Sequence, residues 1–213
     1  MTPYEVLLLE CSPRRSATST RLVQQILPTL EARAPGRELR LTQRPIGTHP
    51  LPPLSAEYAE SLLLSPEEGR ARYGEALEVS DTLIDDLRRA DLVLIATPVH
   101  NFTVPAALKT WIDYVVRRGV TFETTATGKV GLLPDRPVVV AVTSGGAMFR
   151  DPPLQPDFFR PYLRAALGVM GLKSVSFVQA TGLAFEADPL QAVDAAADAW
   201  LAAERQANPG VAP

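Results

Sequence analysis

Cysteine, histidine and basic charge are all scarce in this 213-residue chain. Its one cysteine, Cys11, has no partner for an internal disulfide, which fits a reducing compartment. A single thiol and two imidazoles also exclude the usual Cys/His zinc spacings, so no metal site is expected. No apolar run approaches the ~20 residues that a membrane-spanning helix needs. Val6 to Leu9 is too short for a signal-peptide core and follows no basic residue. With a formal net charge of −3, the chain offers no electrostatic reason to bind nucleic acid or an anionic membrane surface. Its short basic pairs, Arg14-Arg15 and Arg88-Arg89, read as solvated surface. A cytoplasmic protein acting on small molecules is the expectation. Neither the Gly-Lys-Ser/Thr of a nucleoside-triphosphate loop nor Gly-x-Gly-x-x-Gly occurs, which weighs against ATP or a tightly bound NAD. There is also no internal repeat or convincing linker, so residues 1–213 read as one domain. With 46% hydrophobic residues, such a domain can bury a sizeable core.

What is present alternates between two periods. The stretch 90–121 contains a continuous apolar run, Leu92 to Ala96, as in a strand buried on both faces. A mixed loop, 97–102, follows. Val104, Leu108, Trp111, Ile112 and Val115 then recur at helical spacing, with Thr103 as the expected N-cap, Pro105 in the first turn, and Arg117, Arg118 and Gly119 closing the helix. Upstream, residues 4–9 read as a buried strand and 22–30 as a helix that Pro28 should bend or shorten. Residues 37–41 suit a charged edge strand. Residues 56–64 are weakly helical, Ser65-Pro66-Glu67-Glu68 is a helix start, and 75–89 form an amphipathic helix. Downstream come an extended excursion at 120–133 with a Thr127-Gly128 turn and an apolar strand at 137–142. A helix at 158–170 stops at Gly171, and after it come a strand at 174–178, a terminal helix at 189–205 and an expected mobile tail at 208–213. This order predicts an α/β fold: a five-stranded parallel sheet, order 2-1-3-4-5, with helices on both faces.

Three loops at strand ends have compositions that a core does not require. The first offers Ser12, Ser16, Thr18 and Ser19 at a helix start, where hydroxyls and free N–H groups can hold a phosphate; ordinary helix capping is the competing role. The second, Thr97-Pro98-Val99-His100-Asn101-Phe102, could stack on and hydrogen-bond a planar, partly polar ring. Taken singly, His100 reads as a surface or capping residue and Phe102 as core. In the third, Ser144-Gly145-Gly146 lets backbone N–H groups approach a ligand, and it serves equally well as a tight turn.

The run from Thr97 through Lys109, the later Gly119-Val120-Thr121-Phe122 and Gly131-Leu132-Leu133 resemble the flavodoxin-like family of FMN-dependent NADH-azoreductases and NADH:quinone oxidoreductases. Ser12-Pro13-Arg14, Thr143-Ser144-Gly145-Gly146 and the segment 162–171 extend the resemblance over most of the chain. It implies that Ser12, Thr18 and Ser19 hold the phosphate of a tightly bound FMN. Pro98, Val99, His100, Asn101 and Phe102 would meet its ring, and Ser144, Gly145 and Gly146 its pyrimidine side. It further implies two-electron, ping-pong transfer from NADH or NADPH to quinones and aromatic azo compounds. The family's flavin lies at a homodimer interface, for which residues 120–133 and 154–159 are candidates. The chain departs from the pattern at Val99 for Met, His100 for Tyr, Ala17-Thr18-Ser19 for Ser-x-Ser, and Ala147 and Phe149 beyond the glycines. His100 is the one candidate proton donor; no other catalytic residue is assigned.

A hydrolase built on Ser12 or Ser144 lacks Gly-x-Ser-x-Gly. A response-regulator receiver would need more carboxylates at the strand ends than Glu10. The remaining alternative is a non-catalytic flavodoxin-like module that binds FMN or regulates.

Overall fold

Alternation within each strand sorts the core into two layers. Leu7 and Leu9, with Val93, Ile95, Val138, Val140 and Val142, face one layer, while Val6 and Leu8, with Leu92, Leu94, Val139 and Ala141, face the other. A strand buried on both faces must be apolar throughout, as the sequence is at these positions. The computed structural model describes residues 2–32 and 34–207. Its main sheet runs β2-β1-β3-β6-β7, formed by β1 (Tyr4–Glu10), β2 (Leu39–Arg44), β3 (Leu92–Pro98), β6 (Val138–Thr143) and β7 (Val175–Ala180). All neighbours are parallel, with Leu8 opposite Leu94 and Ile95 opposite Val140. This is the predicted 2-1-3-4-5 order, with a hairpin, β4 (Phe122–Thr125) and β5 (Gly128–Gly131), standing apart from the sheet within the expected excursion. The hairpin turns at Ala126-Thr127, one residue before the expected Thr127-Gly128.

Helices α1 (Thr18–Glu31) and α6 (Pro189–Ala207) cover the layer of Val6 and Leu8; α2 (Ala56–Ser61), α3 (Pro66–Arg89), α4 (Ala106–Val115) and α5 (Phe159–Met170) cover the other. Pro28 does not shorten α1. It is exposed, so the Gln24 carbonyl that loses its donor can be hydrated, and buried Leu30 holds the final turn against the core. The capping box at Ser65 and Glu68 forms as expected, and Gly171 stops α5 in the left-handed conformation at φ +106°. The tail expected at 208–213 lies outside the described residues.

Both ends of α4 differ from expectation. Thr103 is drawn into a turn with His100, so Pro105 occupies the cap position. At the other end the helix stops at Val115, before the arginines. The hydroxyl of Thr121 donates to the Val115 carbonyl at 2.7 Å, Ser80 Oγ donates to Tyr114 O at 2.6 Å, and Tyr58 Oη lies 3.1 Å from the Asp113 and Tyr114 carbonyls. Side chains from three other segments thus satisfy the last carbonyls. Arg117 turns inward instead of serving the helix dipole, and its guanidinium donates to Ser80 Oγ at 2.9 Å and Asp81 Oδ1 at 2.8 Å. This buried lock fixes α4, whose other end carries the second loop.

Candidate functional site

Parallel strands bring their carboxyl ends, and the loops that follow, to one edge. There Ser12, Thr18 and Ser19 from the first loop, Pro98, Val99 and His100 from the second, and Ser144 and Gly145 from the third line one cleft of about 420 Å³. Asn101 and Phe102 stand beside it on an exposed turn. Gly146 does not line it: that residue packs behind, its carbonyl accepting from Gly182 N at 2.8 Å and Thr181 Oγ1 at 2.9 Å. Pro13, Arg14, Ala17 and Thr143 from the same loops also line it, and Leu183, Ala184 and Pro189, absent from the sequence-derived set, complete the wall. The connection after β7 and the first residue of α6 supply them, and the place of β7 next to β6 in the strand order is the signal that could have found them.

The first loop leaves α1 open toward this cleft. Ala17 at the cap position offers no side-chain hydrogen bond, the first turn carries no acidic residue, and the Thr18, Ser19 and Thr20 N–H groups have no partner among the described residues. Ser19 is buried, yet its hydroxyl also lacks a partner among the described residues. A buried unpaired hydroxyl costs about 1–3 kcal/mol unless something arrives to satisfy it. Unpaired donors at the positive end of a helix dipole are suited to an anion, and a phosphate monoester presents enough oxygens for all of them. Cys11, at the end of β1, contributes no nucleophile, because burial pushes its thiol up and keeps it protonated.

The second loop stores strain. His100 N donates to Thr103 O and Thr103 N to His100 O, both at 3.0 Å, and the two central residues take positive φ, +46° at Asn101 and +71° at Phe102. This is the backbone pattern of a type I′ turn, which favours Asn at its first central position and Gly at the second. Phenylalanine at the second costs about 1 kcal/mol or more, so the ring is retained for something other than folding. Phe102→Gly is therefore expected to leave thermal stability of the ligand-free protein unchanged or slightly raised. It should also weaken ligand uptake about tenfold, read by melting and by titration with a flavin. A melting temperature lowered by several degrees would show instead that the exposed ring supports the fold.

In the third loop, Ser144 N is engaged with Ala180 O at 2.8 Å, while the N–H groups of Gly145 and Gly146 have no partner among the described residues. No group of His, Cys, Asp and Glu among the described residues could hold a metal ion. No helix among them is long and apolar enough to cross a membrane.

This sheet order, with an uncapped helix start and free backbone donors along one cleft, defines a flavodoxin-like α/β protein. A family profile described as flavodoxin-like fold matches residues 5–203. FMN-dependent NADH:quinone oxidoreductase 4 of Pseudomonas fluorescens is 43% identical over 205 residues, which are 96% of this chain and 97% of that protein. FMN-dependent NADH:quinone oxidoreductase 5 of Burkholderia lata is 42% identical over 189 residues, 88% and 90% of the two chains. Among solved structures, an FMN-dependent NADH-azoreductase of Bacillus anthracis in complex with FMN superposes with a TM-score of 0.78 at 23% identity, covering 96% of this chain and 100% of that one. At that identity the likeness is one of fold. The chain belongs to the flavodoxin-like family of FMN-dependent NADH:quinone oxidoreductases.

Proposed function

We propose that this protein is an FMN-dependent oxidoreductase that takes two electrons from NADH or NADPH and passes them to quinones and aromatic azo compounds, donor and acceptor using one site in turn. The observation that carries this reading is the uncapped start of α1 with the buried, unpartnered Ser19 hydroxyl facing a cleft of mononucleotide size. Bound FMN supplies the two-electron carrier chemistry, so the chain needs no nucleophile of its own. Ser12, Thr18 and Ser19 hold the phosphate. Pro98 to Phe102 support and orient the ring, and the free N–H group of Gly145, beside Ser144, meets negative charge on its pyrimidine side. His100 is the residue able to hold a proton next to the ring.

The hairpin residues Val130 and Leu132 and the loop residues Leu154 and Phe158 leave apolar side chains exposed, and they are the surfaces we assign to a homodimer that encloses the flavin. A cytoplasmic setting accords with the single, buried thiol. Purified protein is expected to be yellow, to bleach with NADH or NADPH under anaerobic conditions, and to regain colour when a quinone is added. Protein that takes up FMN but does not bleach would be the passive module instead. In His100→Ala, colour should persist while quinone-dependent recovery slows by about a hundredfold, the range of a lost general acid. Unchanged recovery removes His100 from the proton path.

A further inference from the structure

Pro13 is the point from which three clefts spread. Besides the hydroxyl-lined one, an apolar arm of about 280 Å³ runs past Ile46, Leu51, His100 and Pro105, and a polar arm of about 490 Å³ past Arg14, Arg15, Thr48 and His49. Ser12 and Arg14 line both the first cleft and the polar arm, His100 lines both the first cleft and the apolar arm, and Gly47 lines both arms, so Arg15 is the arginine that belongs to the polar arm alone. The first cleft and the apolar arm thus meet at His100, and the apolar and polar arms at Gly47.

The polar arm is cationic because its arginines are unspent. Every other arginine among the described residues places its guanidinium in an ion pair, a hydrogen bond or over an aromatic ring. The guanidinium groups of Arg14 and Arg15 make no such contact among the described residues, although their backbone is held where the Arg14 N–H donates to Ser12 Oγ at 3.2 Å. Glu10 is the acidic residue lining this arm, and its carboxylate accepts from Thr20 Oγ1 at 3.2 Å and Gln43 Nε2 at 2.5 Å. His49 Nδ1 lies 3.2 Å from Thr48 Oγ1. Two free cations against one engaged carboxylate favour a multiply charged anion. The fork of a guanidinium suits phosphate oxygens in pairs.

We propose that the polar arm binds the phosphorylated adenosine half of the electron donor, with Arg14 and Arg15 on its 2′-phosphate, so that this chain favours NADPH over NADH. The proposal rests on the oxidoreductase reading for the identity of the donor. A nicotinamide at the flavin near His100 sends the rest of the dinucleotide outward, and the apolar arm leads it to the cationic one. A 2′-hydroxyl makes no comparable demand on the arginines.

The test uses flavin-loaded protein and two readouts. By calorimetry, adenosine 2′,5′-bisphosphate, which carries no nicotinamide and undergoes no redox change, should bind the unaltered protein more tightly than 5′-AMP. Its affinity should fall roughly tenfold in Arg15→Ala and with rising salt. In anaerobic bleaching, the NADPH-to-NADH preference should fall by a similar factor in that variant, and Arg15→Lys should retain part of it. No bisphosphate binding, equal affinity in the two proteins, or an unaltered donor preference in Arg15→Ala overturns the proposal. A protein that binds the bisphosphate but takes up no FMN would leave the arm standing and overturn the oxidoreductase reading, so the two failures are distinguishable.

Discussion

Thr18→Asp is expected to give a folded, colourless protein. Thr18 is the first residue of α1, half-buried on the wall of the cleft, in a first turn without acidic residues. A carboxylate at that position lies against the positive end of the helix dipole and should stabilise the ligand-free protein by about 0.5 kcal/mol. Toward a bound phosphate its effect is opposite. Two charges about 4 Å apart at an effective dielectric constant near 20 repel by about 4 kcal/mol, equivalent to roughly a thousandfold in affinity. Melting of the stripped protein and fluorescence titration with FMN separate the two effects. Ser19→Ala should behave differently, because it removes a buried hydroxyl that has no partner among the described residues. The ligand-free protein should lose nothing, while FMN affinity drops about tenfold, the net worth of one hydrogen bond to a charged group. A Thr18→Asp protein that stays yellow and titrates within tenfold of the parent would remove the α1 terminus from the phosphate site.

The fold was legible because strands buried on both faces are written as unbroken apolar runs, and those at β1, β3 and β6 have no helical alternative of comparable length. Handedness then left few orders for the sheet. What sequence missed lay where one contact from a distant segment overrules a local preference. Thr103 is a good cap by composition, but the two hydrogen bonds to His100 take its backbone into the strained turn. Arg117 suits a helix end, yet Ser80 and Asp81 on α3 offer a buried hydrogen bond and a partly buried ion pair that no local pattern announces. The same holds for the cleft. Its phosphate and ring ends are contiguous segments with recognisable composition, whereas Leu183, Ala184 and Pro189 enter through strand order alone. Gly146 shows the converse: an identical neighbour to Gly145 by sequence, it is turned toward Gln155 and the loop after β7. The two arginine pairs differ locally: Arg88 and Arg89 have Asp85 and Asp86 three residues earlier on the same helix and pair with them, whereas no acidic residue stands within three positions of Arg14 or Arg15.

Gly47→Ala should be the most damaging single-methyl change near the site. A Cβ built at Gly47 would lie 2.2 Å from the Ser12 carbonyl oxygen and 2.6 Å from the Cys11 carbonyl carbon, both backbone atoms at the root of the first loop. Neither can move aside as a side chain would. The connection after β2 must lift away, which breaks the 2.8 Å hydrogen bond from Gly47 N to Glu10 O. Overpacking of this kind costs up to about 3 kcal/mol, and the lost hydrogen bond adds about 1 kcal/mol. Denaturant unfolding should register the sum as a lower midpoint with unchanged slope. Ser12 moves with the loop, so FMN affinity should fall in the protein that remains folded. Gly145→Ala is the matched comparison, since its added methyl would meet only Ala184 Cβ, at an ordinary 3.5 Å. It should unfold within about 0.5 kcal/mol of the parent, as changes that touch nothing do. Any loss of flavin binding it shows must then come from the ligand side of the cleft, where the methyl points. If both variants lose stability equally, the packing of residues 45–49 against Ser12 is not what holds the first loop in place.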